Sequence, residues 1–157
     1  MQKISPFLWF DHQAEEAARF YVSIFKDSRI LNISHYGEGS RGQSGAVMTV
    51  EFQIEGQNFT ALNGGPLFTF NSAISFFVRC TEQAEVDDLC QKLTQDGEQL
   101  PCGWLRDKFG LSWQIIPAIL GELLADPDPV RSQQVMEAML QMTKIDIAGL
   151  KRAHEGL

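Results

Sequence analysis

Two stretches of the chain share one spacing of apolar residues, and this internal repeat limits the folds that are open to the sequence. When the sequence is aligned with itself at a shift of 69 residues, without a gap, apolar positions of the first stretch match apolar positions of the second. The matching pairs are Phe7 and Phe76, Ala17 and Val86, Phe20 and Leu89, Tyr21 and Cys90, and Ile24 and Leu93. Within each stretch, the i, i+3, i+4, i+7 spacing that follows the first strand is typical of an amphipathic helix. The sequence therefore predicts two successive β-α-β-β-β units.

The first unit is predicted to contain strands at 4–11, 28–36, 46–54 and 57–63 and a helix at 13–26. The glycine-rich connector at 37–45 has the composition of a loop. Glu55-Gly56 joins the last two strands and is a turn pair of the hairpin type. The second unit is predicted to contain strands at 73–80, 98–105 and 111–116 and a helix at 82–95.

The last predicted strand carries a polar side chain at its centre. At the corner before it, Asp107 is expected to accept backbone hydrogen bonds and Gly110 to adopt a positive φ. Strand alternation then places Gln114 on the same face as Ser112 and Ile116, whereas Trp113 points to the other face. An unpaired buried amide costs about 1–3 kcal/mol, so a protein group or a ligand is expected to satisfy Gln114.

The C-terminal stretch, 118–157, has the character of a helical tail. Asp128 precedes Pro129, as a capping residue precedes a proline at the first helical position, and Asp146 is placed to cap a last short helix. The spacing of Val135, Met139 and Met142 predicts a packing surface that covers a sheet edge or a partner chain. We expect one domain over 1–157, made of a first unit at 1–66, a second at 67–117 and the tail at 118–157.

Charge and composition exclude several classes of partner. The net charge of −7 leaves no basic surface for nucleic acid, and no stretch reaches the roughly 20 apolar residues of a membrane-spanning helix. Three cysteines without C-x-x-C spacing indicate neither a disulfide framework nor a zinc knuckle. The amino terminus lacks the apolar core of a signal peptide, so the expected location is cytoplasmic.

Three motifs carry a resemblance to a known family. Phe-Leu-Trp-Phe-Asp at 7–11, Ala-Glu-Glu-Ala-Ala-Arg-Phe-Tyr at 14–21 and Cys-Gly-Trp-Leu-Arg-Asp-Lys-Phe-Gly-Leu-Ser-Trp-Gln-Ile at 102–115 resemble the PhnB-like branch of the vicinal oxygen chelate superfamily. That superfamily includes glyoxalase, extradiol dioxygenases and bleomycin- and fosfomycin-resistance proteins. The resemblance implies an α+β fold of two paired β-α-β-β-β units, a homodimer, and the label 3-demethylubiquinone-9 3-methyltransferase.

The resemblance also implies where a metal would be held. Metal-dependent members take ligands from the first and last strands of each unit, which in this chain fall on or close to Ile4, Asn63, Ala73 and Gln114. Divalent ions in such sites need imidazole or anionic oxygen, and two amides with two aliphatic side chains bind them poorly. We therefore expect neither a metal nor another cofactor.

The predicted function is the binding of an uncharged or weakly polar small organic molecule in a metal-free cup, with Asn63, Trp104 and Gln114 as ligand-binding residues. Asn63 has a second interpretation, as the cap of a strand end ahead of Gly64-Gly65. Whether the chain is an enzyme stays open. The alternatives are the methyltransferase of the family label and a metal-dependent lyase, isomerase or dioxygenase. Against methyl transfer, the glycines at 37–45 precede a strand, whereas S-adenosylmethionine sites place them between a strand and a helix.

Overall fold

The structure is a computed structural model that describes residues 2–39 and 43–157. The chain divides into two compact units, Met1–Thr69 and Phe70–Leu157. Each unit has one four-stranded sheet with a helix after its first strand, and the second unit also carries the tail. The prediction of two β-α-β-β-β units with a helical tail is confirmed.

The first unit contains β1 (Phe7–Phe10), α1 (Ala14–Ile24), β2 (Arg29–His35), β3 (Val47–Ile54) and β4 (Gln57–Asn63). The strand order is β1-β4-β3-β2, with β1 parallel to β4 and the other pairs antiparallel. Glu55 and Gly56 join β3 to β4 with φ values of 48° and 79°, as a two-residue hairpin turn requires. Of the predicted connector at 37–45, residues 40–42 lie outside the described residues.

The second unit contains β5 (Ser75–Cys80), α2 (Gln83–Leu93), β6 (Glu98–Gln99), a 3-10 turn (Pro101–Gly103), β7 (Trp104–Arg106) and β8 (Ser112–Pro117). The strand order is β5-β8-β7-β6, with β5 parallel to β8 and the other pairs antiparallel. The tail forms α3 (Ala118–Leu124), α4 (Pro129–Leu140) and α5 (Ile147–His154).

The strand predicted at 98–105 is divided, which corrects the sequence prediction. Pro101 has no backbone N–H for a sheet ladder, and Cys102 and Gly103 adopt φ values of 62° and 82°. This left-handed pair turns the chain between β6 and β7. The backbone N–H groups of Cys102 and Gly103 instead donate to the carbonyl oxygens of Met142 and Thr143, at 2.9 and 2.8 Å.

Each helix packs on one face of its sheet through small and apolar side chains. On α1 the buried residues are Ala14, Ala17, Ala18 and Tyr21, and on α2 they are Val86, Leu89, Cys90 and Leu93. The Tyr21 ring stacks on that of Phe52 in β3, with centroids 6.2 Å apart. The spacing that predicted both helices therefore corresponds to their buried faces.

The repeat is out of phase in the first strands, which is a second correction. Phe7 is 61% exposed, on the face of its sheet turned away from α1. Phe76 lies on the side of its sheet that faces α2, where the centroids of the Phe76 and Trp113 rings are 5.3 Å apart. The next residue, Phe77, points to the other face and is 54% exposed. The loop before α2, 81–82, is shorter by one residue than the loop before α1, 11–13, and a slip of one residue reverses every side chain of a strand. The counterpart of Phe7 is therefore Phe77.

The tail packs on the end of β8 within its own unit. Asp128 accepts a hydrogen bond from Val130 N at 2.9 Å and Asp146 accepts one from Ala148 N at 3.1 Å, so both predicted caps are confirmed. The tail's core consists of Ile116, Leu120, Val135, Ile145 and Leu150, with Leu123, Leu124, Met139 and Met142 partly buried around it. The apolar stripe covers the sheet end, and the prediction of a homodimer rests on the resemblance alone.

Polar contacts fasten the same tail to α2. Gln83 donates to the carbonyl oxygen of Ile145 at 2.9 Å and accepts from Ile147 N at 2.8 Å. Lys144 Nζ lies 2.8 Å from the Asp87 carboxylate. Over residues 2–39 and 43–157, no helix has the length and apolar character to cross a membrane.

Candidate functional site

Asp107 closes the corner that sets β8 in place. Its side chain is 2% exposed, yet its carboxylate accepts hydrogen bonds from the backbone N–H groups of Phe109 and Leu111, at 2.9 and 3.0 Å. A third donor, Nε1 of Trp113, lies 2.9 Å away. Gly110 adopts a φ of 91° in the same turn. Both predictions for this corner are confirmed, and the corner fixes which face of the sheet Gln114 occupies.

Gln114 lies on the face of the second sheet that is turned away from α2, which we call the open face. The residues of this face that carry the argument are Ser75, Phe77, Trp104, Ser112 and Gln114. Nε2 of Gln114 donates to Oγ of Ser75 at 2.9 Å, so a protein group satisfies part of the amide. The amide is half-buried and lies beside an exposed ring, that of Phe77.

Trp104 is the first residue of β7 and stands directly opposite Gln114. The 3-10 turn before it is held by the tail, through the bonds from Cys102 and Gly103 to the carbonyl oxygens of Met142 and Thr143. A Cβ on Gly103 would approach Cδ1 of Ile116 to 2.7 Å, so the close packing of this turn needs a glycine. The structure thus brings Trp104 and Gln114 together on one face, with the tail supporting one side.

Asn63, the third predicted site residue, ends β4 in the first unit and points to the helix side of its sheet. Its Oδ1 accepts from Ala14 N at 2.8 Å, and its Nδ2 donates to the carbonyl oxygen of Val47 at 3.0 Å. The amide therefore ties the start of α1 to β3 and β4. This geometry agrees with the interpretation of Asn63 as a structural residue at a strand end.

A cavity of about 450 Å³ in the first unit also borders Asn63. Its lining residues are Asp11, His12, Glu15, Tyr36, Gln43, Ala46, Val47, Asn63, Gly64 and Gly65. Nδ1 of His12 lies 3.6 Å from the Asp11 carboxylate, and the Tyr36 hydroxyl donates to the carbonyl oxygen of Asn63. Sequence reasoning missed this cavity, since these residues come from four separate segments and no local pattern connects them.

Strand pairing shows which residue of the first sheet corresponds to Gln114. Phe77 stands opposite Gln114, and its counterpart Phe7 stands opposite Thr60. Thr60 is thus the equivalent of Gln114, whereas Asn63 lies three residues further along β4 and on the other face. Sequence reasoning also missed Ser75 and Phe77. The only signal for them in the sequence was their separation by two positions, which places both side chains on the same face of β5.

The residues at the metal positions implied by the resemblance do not fit a divalent ion. Ile4 and Ala73 offer aliphatic side chains, and the amides of Asn63 and Gln114 already bond to protein groups. Within the described part of the chain, no three histidine, cysteine, aspartate or glutamate side chains are grouped as a metal site. Neutral amides are poor ligands for transition metals, so this donor set supports no metal chemistry.

The groups with shifted pKa values lie away from the open face. Burial raises the pKa of Cys80 to about 12 and that of Cys90 to about 11, and both cysteines lie between the second sheet and α2. The hydrogen bond from Lys144 lowers the pKa of Asp87, and the backbone N–H of Asp128 lowers that of Asp126. The centre of the open face holds neutral groups, which are suited to hydrogen bonding and stacking.

Comparisons with known proteins agree with this architecture. The family model described as 3-demethylubiquinone-9 3-methyltransferase matches residues 2–116, so α3, α4 and α5 lie beyond the match. Among solved structures, a putative 3-demethylubiquinone-9 3-methyltransferase, PhnB protein, from Bacillus cereus is 40% identical, with a TM-score of 0.68 over 74% of this chain and 100% of that one. Among curated proteins, none matches the chain.

Two more distant structures share the fold. A Pseudomonas aeruginosa protein is 18% identical, with a TM-score of 0.61 over 74% of this chain and 98% of that one. The fosfomycin resistance protein FosX from Mesorhizobium loti is 16% identical, with a TM-score of 0.56 over 80% of this chain and 99% of that one. With the family model covering most of the chain, the fold is that of the vicinal oxygen chelate proteins, and the chain belongs to the PhnB-like family described as 3-demethylubiquinone-9 3-methyltransferase.

Proposed function

We propose that the chain binds an uncharged or weakly polar small organic molecule on the open face of the second sheet, without a metal. The observation that carries this proposal is the Gln114 amide, which is held by Ser75 at 2.9 Å between an exposed Phe77 and Trp104. An apolar surface with a few placed polar groups is the usual composition of a small-molecule site. Gln114 supplies the hydrogen bond and Trp104 the contact area.

Asn63 has a different place in the proposal. Its amide oxygen and nitrogen both bond to the first unit's backbone, so we assign it to shaping the cavity beside α1. Joint action of Asn63 and Gln114 on one ligand stays a prediction. We also propose a homodimer from the resemblance, and sedimentation at micromolar concentration should report about twice the chain mass of 17.6 kDa.

The test of the proposed site is Gln114→Leu, combined with ligand-detected NMR against a library of neutral small molecules and native mass spectrometry of the purified protein. Ligand affinity should fall roughly tenfold, the equivalent of about 1–1.5 kcal/mol for one lost neutral hydrogen bond. The fold should be kept, because leucine nearly preserves the volume of the side chain. Gln133→Leu, on the exposed surface of α4, is the matched control and should leave affinity unchanged.

A contrary result would assign Gln114 a structural role. If Gln114→Leu lowers the melting temperature strongly while ligands bind as before, the amide holds β5 to β8 and does not contact a ligand. If no neutral small molecule binds the wild-type protein at millimolar concentration, the proposed function itself is wrong.

Methyl transfer is the second candidate, and the description of the family model is the observation that favours it. The geometry offers it little support, because Gly37, Gly39 and Gly45 lie between β2 and β3, two antiparallel strands. The carboxylate and ribose of S-adenosylmethionine are usually held at a glycine turn between a strand and a helix. Calorimetric titration with S-adenosylmethionine should show no binding, and micromolar affinity would favour the methyltransferase over the binding protein.

A further inference from the structure

Three side chains of the second sheet form one straight row across three neighbouring strands. Phe77 on β5 stands directly opposite Gln114 on β8, and Gln114 stands directly opposite Trp104 on β7. Residues that are directly opposite one another in a sheet point to the same face. The row therefore places an amide between two aromatic side chains on the open face.

The distance between the two ends of the row leaves room for one ring to stack between Phe77 and Trp104. Neighbouring strands lie about 4.8 Å apart, so the two outer strands of the row lie about 9.6 Å apart. Side chains stand roughly perpendicular to a sheet, and aromatic pairs prefer centroid separations of about 4.5–7 Å. One flat ring inserted between Phe77 and Trp104 would lie about 4.8 Å from each, which is within that range.

The amide between the two rings is held low, so that it forms a floor. Oγ of Ser75 is the first atom beyond Cβ and lies close to the sheet, and it accepts from Nε2 of Gln114 at 2.9 Å. This bond draws the amide along the sheet, toward a residue of β5 two positions before Phe77. Among the described residues, none donates to Oε1 of Gln114, so a ligand hydroxyl can do so.

We infer that Phe77, Gln114 and Trp104 form an aromatic slot for one neutral planar ring that carries a hydroxyl group at its edge. The ring stacks between the two aromatic side chains, and its hydroxyl donates to Oε1 of Gln114. This inference rests on the proposed function, since it names the class of molecule that the open face takes. No covalent bond is made or broken in this binding.

Among the residues that the structure describes, the first sheet has no equivalent of this slot. The matching row of the first sheet is Phe7, Thr60 and Glu51, which has an aromatic side chain at one end and a carboxylate at the other. Although the two units repeat one another in fold, their rows differ in chemistry. We expect one aromatic slot in each chain.

The experiment uses a pair of probes that differ only in ring saturation, 2-naphthol and decahydro-2-naphthol. Each carries one hydroxyl group at the same ring position, but only the first has a flat ring with π faces. Its phenolic hydroxyl is also the stronger hydrogen-bond donor, so the two variants described below, which leave Gln114 in place, assign the preference to stacking. Affinities for the full-length protein are measured by ligand-detected NMR titration. We expect 2-naphthol to bind about tenfold more tightly, which is the magnitude of one to two aromatic contacts.

Two variants test which side chains cause the preference for 2-naphthol. Phe77→Leu and Trp104→Leu leave an apolar but smaller side chain and remove a stacking face, and each should lower the affinity for 2-naphthol about threefold to tenfold while changing that for decahydro-2-naphthol much less. The matched control is Phe109→Leu, at a partly exposed ring in the turn before β8, which should alter neither affinity. Thermal unfolding of each variant verifies that it is folded.

Each other outcome overturns the slot in a distinguishable way. If the two probes bind equally and Gln114→Leu weakens both, the open face binds small molecules but the aromatic slot is wrong. If 2-naphthol binds more tightly but neither Phe77→Leu nor Trp104→Leu reduces its affinity, the ring binds elsewhere. If neither probe binds while other library molecules depend on Gln114, the slot fails and the proposed function survives, whereas an absence of all binding removes both.

Discussion

The indole Nε1 of Trp113 donates a 2.9 Å hydrogen bond to the carboxylate of Asp107, and both side chains are at most 3% exposed. The same carboxylate receives the backbone N–H groups of Phe109 and Leu111. A buried charge is tolerated only when it is well hydrogen-bonded, and here three donors converge on one group. The arrangement joins the corner before β8 to the strand that carries Gln114.

Asp107→Asn should therefore lower the free energy of unfolding by about 2 kcal/mol. The substitution removes the charge that strengthens the three bonds, and it places an amide donor against one of the three N–H donors. Denaturant unfolding monitored by fluorescence measures the change. The control, Asp88→Asn, alters an exposed ion pair with Lys92 on α2 and should cost less than about 0.5 kcal/mol. Equal effects of the two substitutions would show that the buried Asp107 carboxylate stabilises the fold no more than an exposed ion pair does.

Gly64→Ala should destabilise the first unit by about 1–3 kcal/mol. A Cβ at this position would lie 2.4 Å from ring atoms of Trp9, whose own Nε1 donates to the carbonyl oxygen of Gly65 at 2.9 Å. Overpacking against a ring that is fixed in this way costs energy of that order. Thermal or denaturant unfolding measures the effect.

Gly121→Ala is the matched control for this substitution. Gly121 lies in α3 and has nothing within 4 Å of the added Cβ, so alanine should stabilise the protein by about 0.5–1 kcal/mol through its better helix propensity. If both glycine substitutions change stability in the same direction, the Trp9 contact is not the reason.

The buried thiols should make the protein less stable in alkali. Burial is the main cause that raises the pKa of Cys80 to about 12 and that of Cys90 to about 11. In the unfolded chain these thiols lose their protons near the ordinary value of 9.0, so between about pH 9 and pH 11 to 12 the unfolded state binds fewer protons. The contribution of the protonated thiols is therefore fully present below pH 9 and is lost as the pH rises through this window. Urea unfolding measured from pH 8 to pH 11 checks this decrease in stability.

Thiol labelling at pH 8 tests the burial of the thiols themselves. Cys80 and Cys90 are 0% and 4% exposed, whereas Cys102 is half-buried in the 3-10 turn. One thiol per chain, that of Cys102, should react in the native protein, and three thiols per chain should react in the urea-unfolded protein. Cys102→Ser should abolish the native reaction, and rapid labelling of that variant would mean that Cys80 or Cys90 becomes accessible in the folded state.

Local chemistry made much of the fold predictable. The spacing of Ala17 and Tyr21 indicated a helix face, and the helix caps at Asp128 and Asp146 followed from residue type alone. The division between β6 and β7 was not predicted, because cysteine rarely adopts the positive φ that Cys102 has. What fixes that conformation is a contact with Met142 and Thr143, far away in the sequence.

The candidate site was only partly predictable for a similar reason. Gln114 and Trp104 were identified because each is conspicuous in its own segment, and the structure places them opposite one another. Ser75 and Phe77 were missed because the face that they occupy depends on a loop that is one residue shorter than its counterpart. The bonds of Asn63 to Ala14 and Val47 depend on tertiary contacts that strand alternation does not reveal.

The purified protein should hold no stoichiometric transition metal. The implied ligand positions carry aliphatic side chains at Ile4 and Ala73 and amides at Asn63 and Gln114, and the amides bond to Ala14, Val47 and Ser75. Binding a divalent ion would require breaking those bonds without gaining an anionic ligand. Elemental analysis after dialysis, followed by calorimetric titration with Ni²⁺, Zn²⁺ and Mn²⁺, checks this expectation. About one equivalent of metal that resists dialysis, and whose affinity falls in Gln114→Leu, would show that Gln114 is a ligand and that the open face is a metal site.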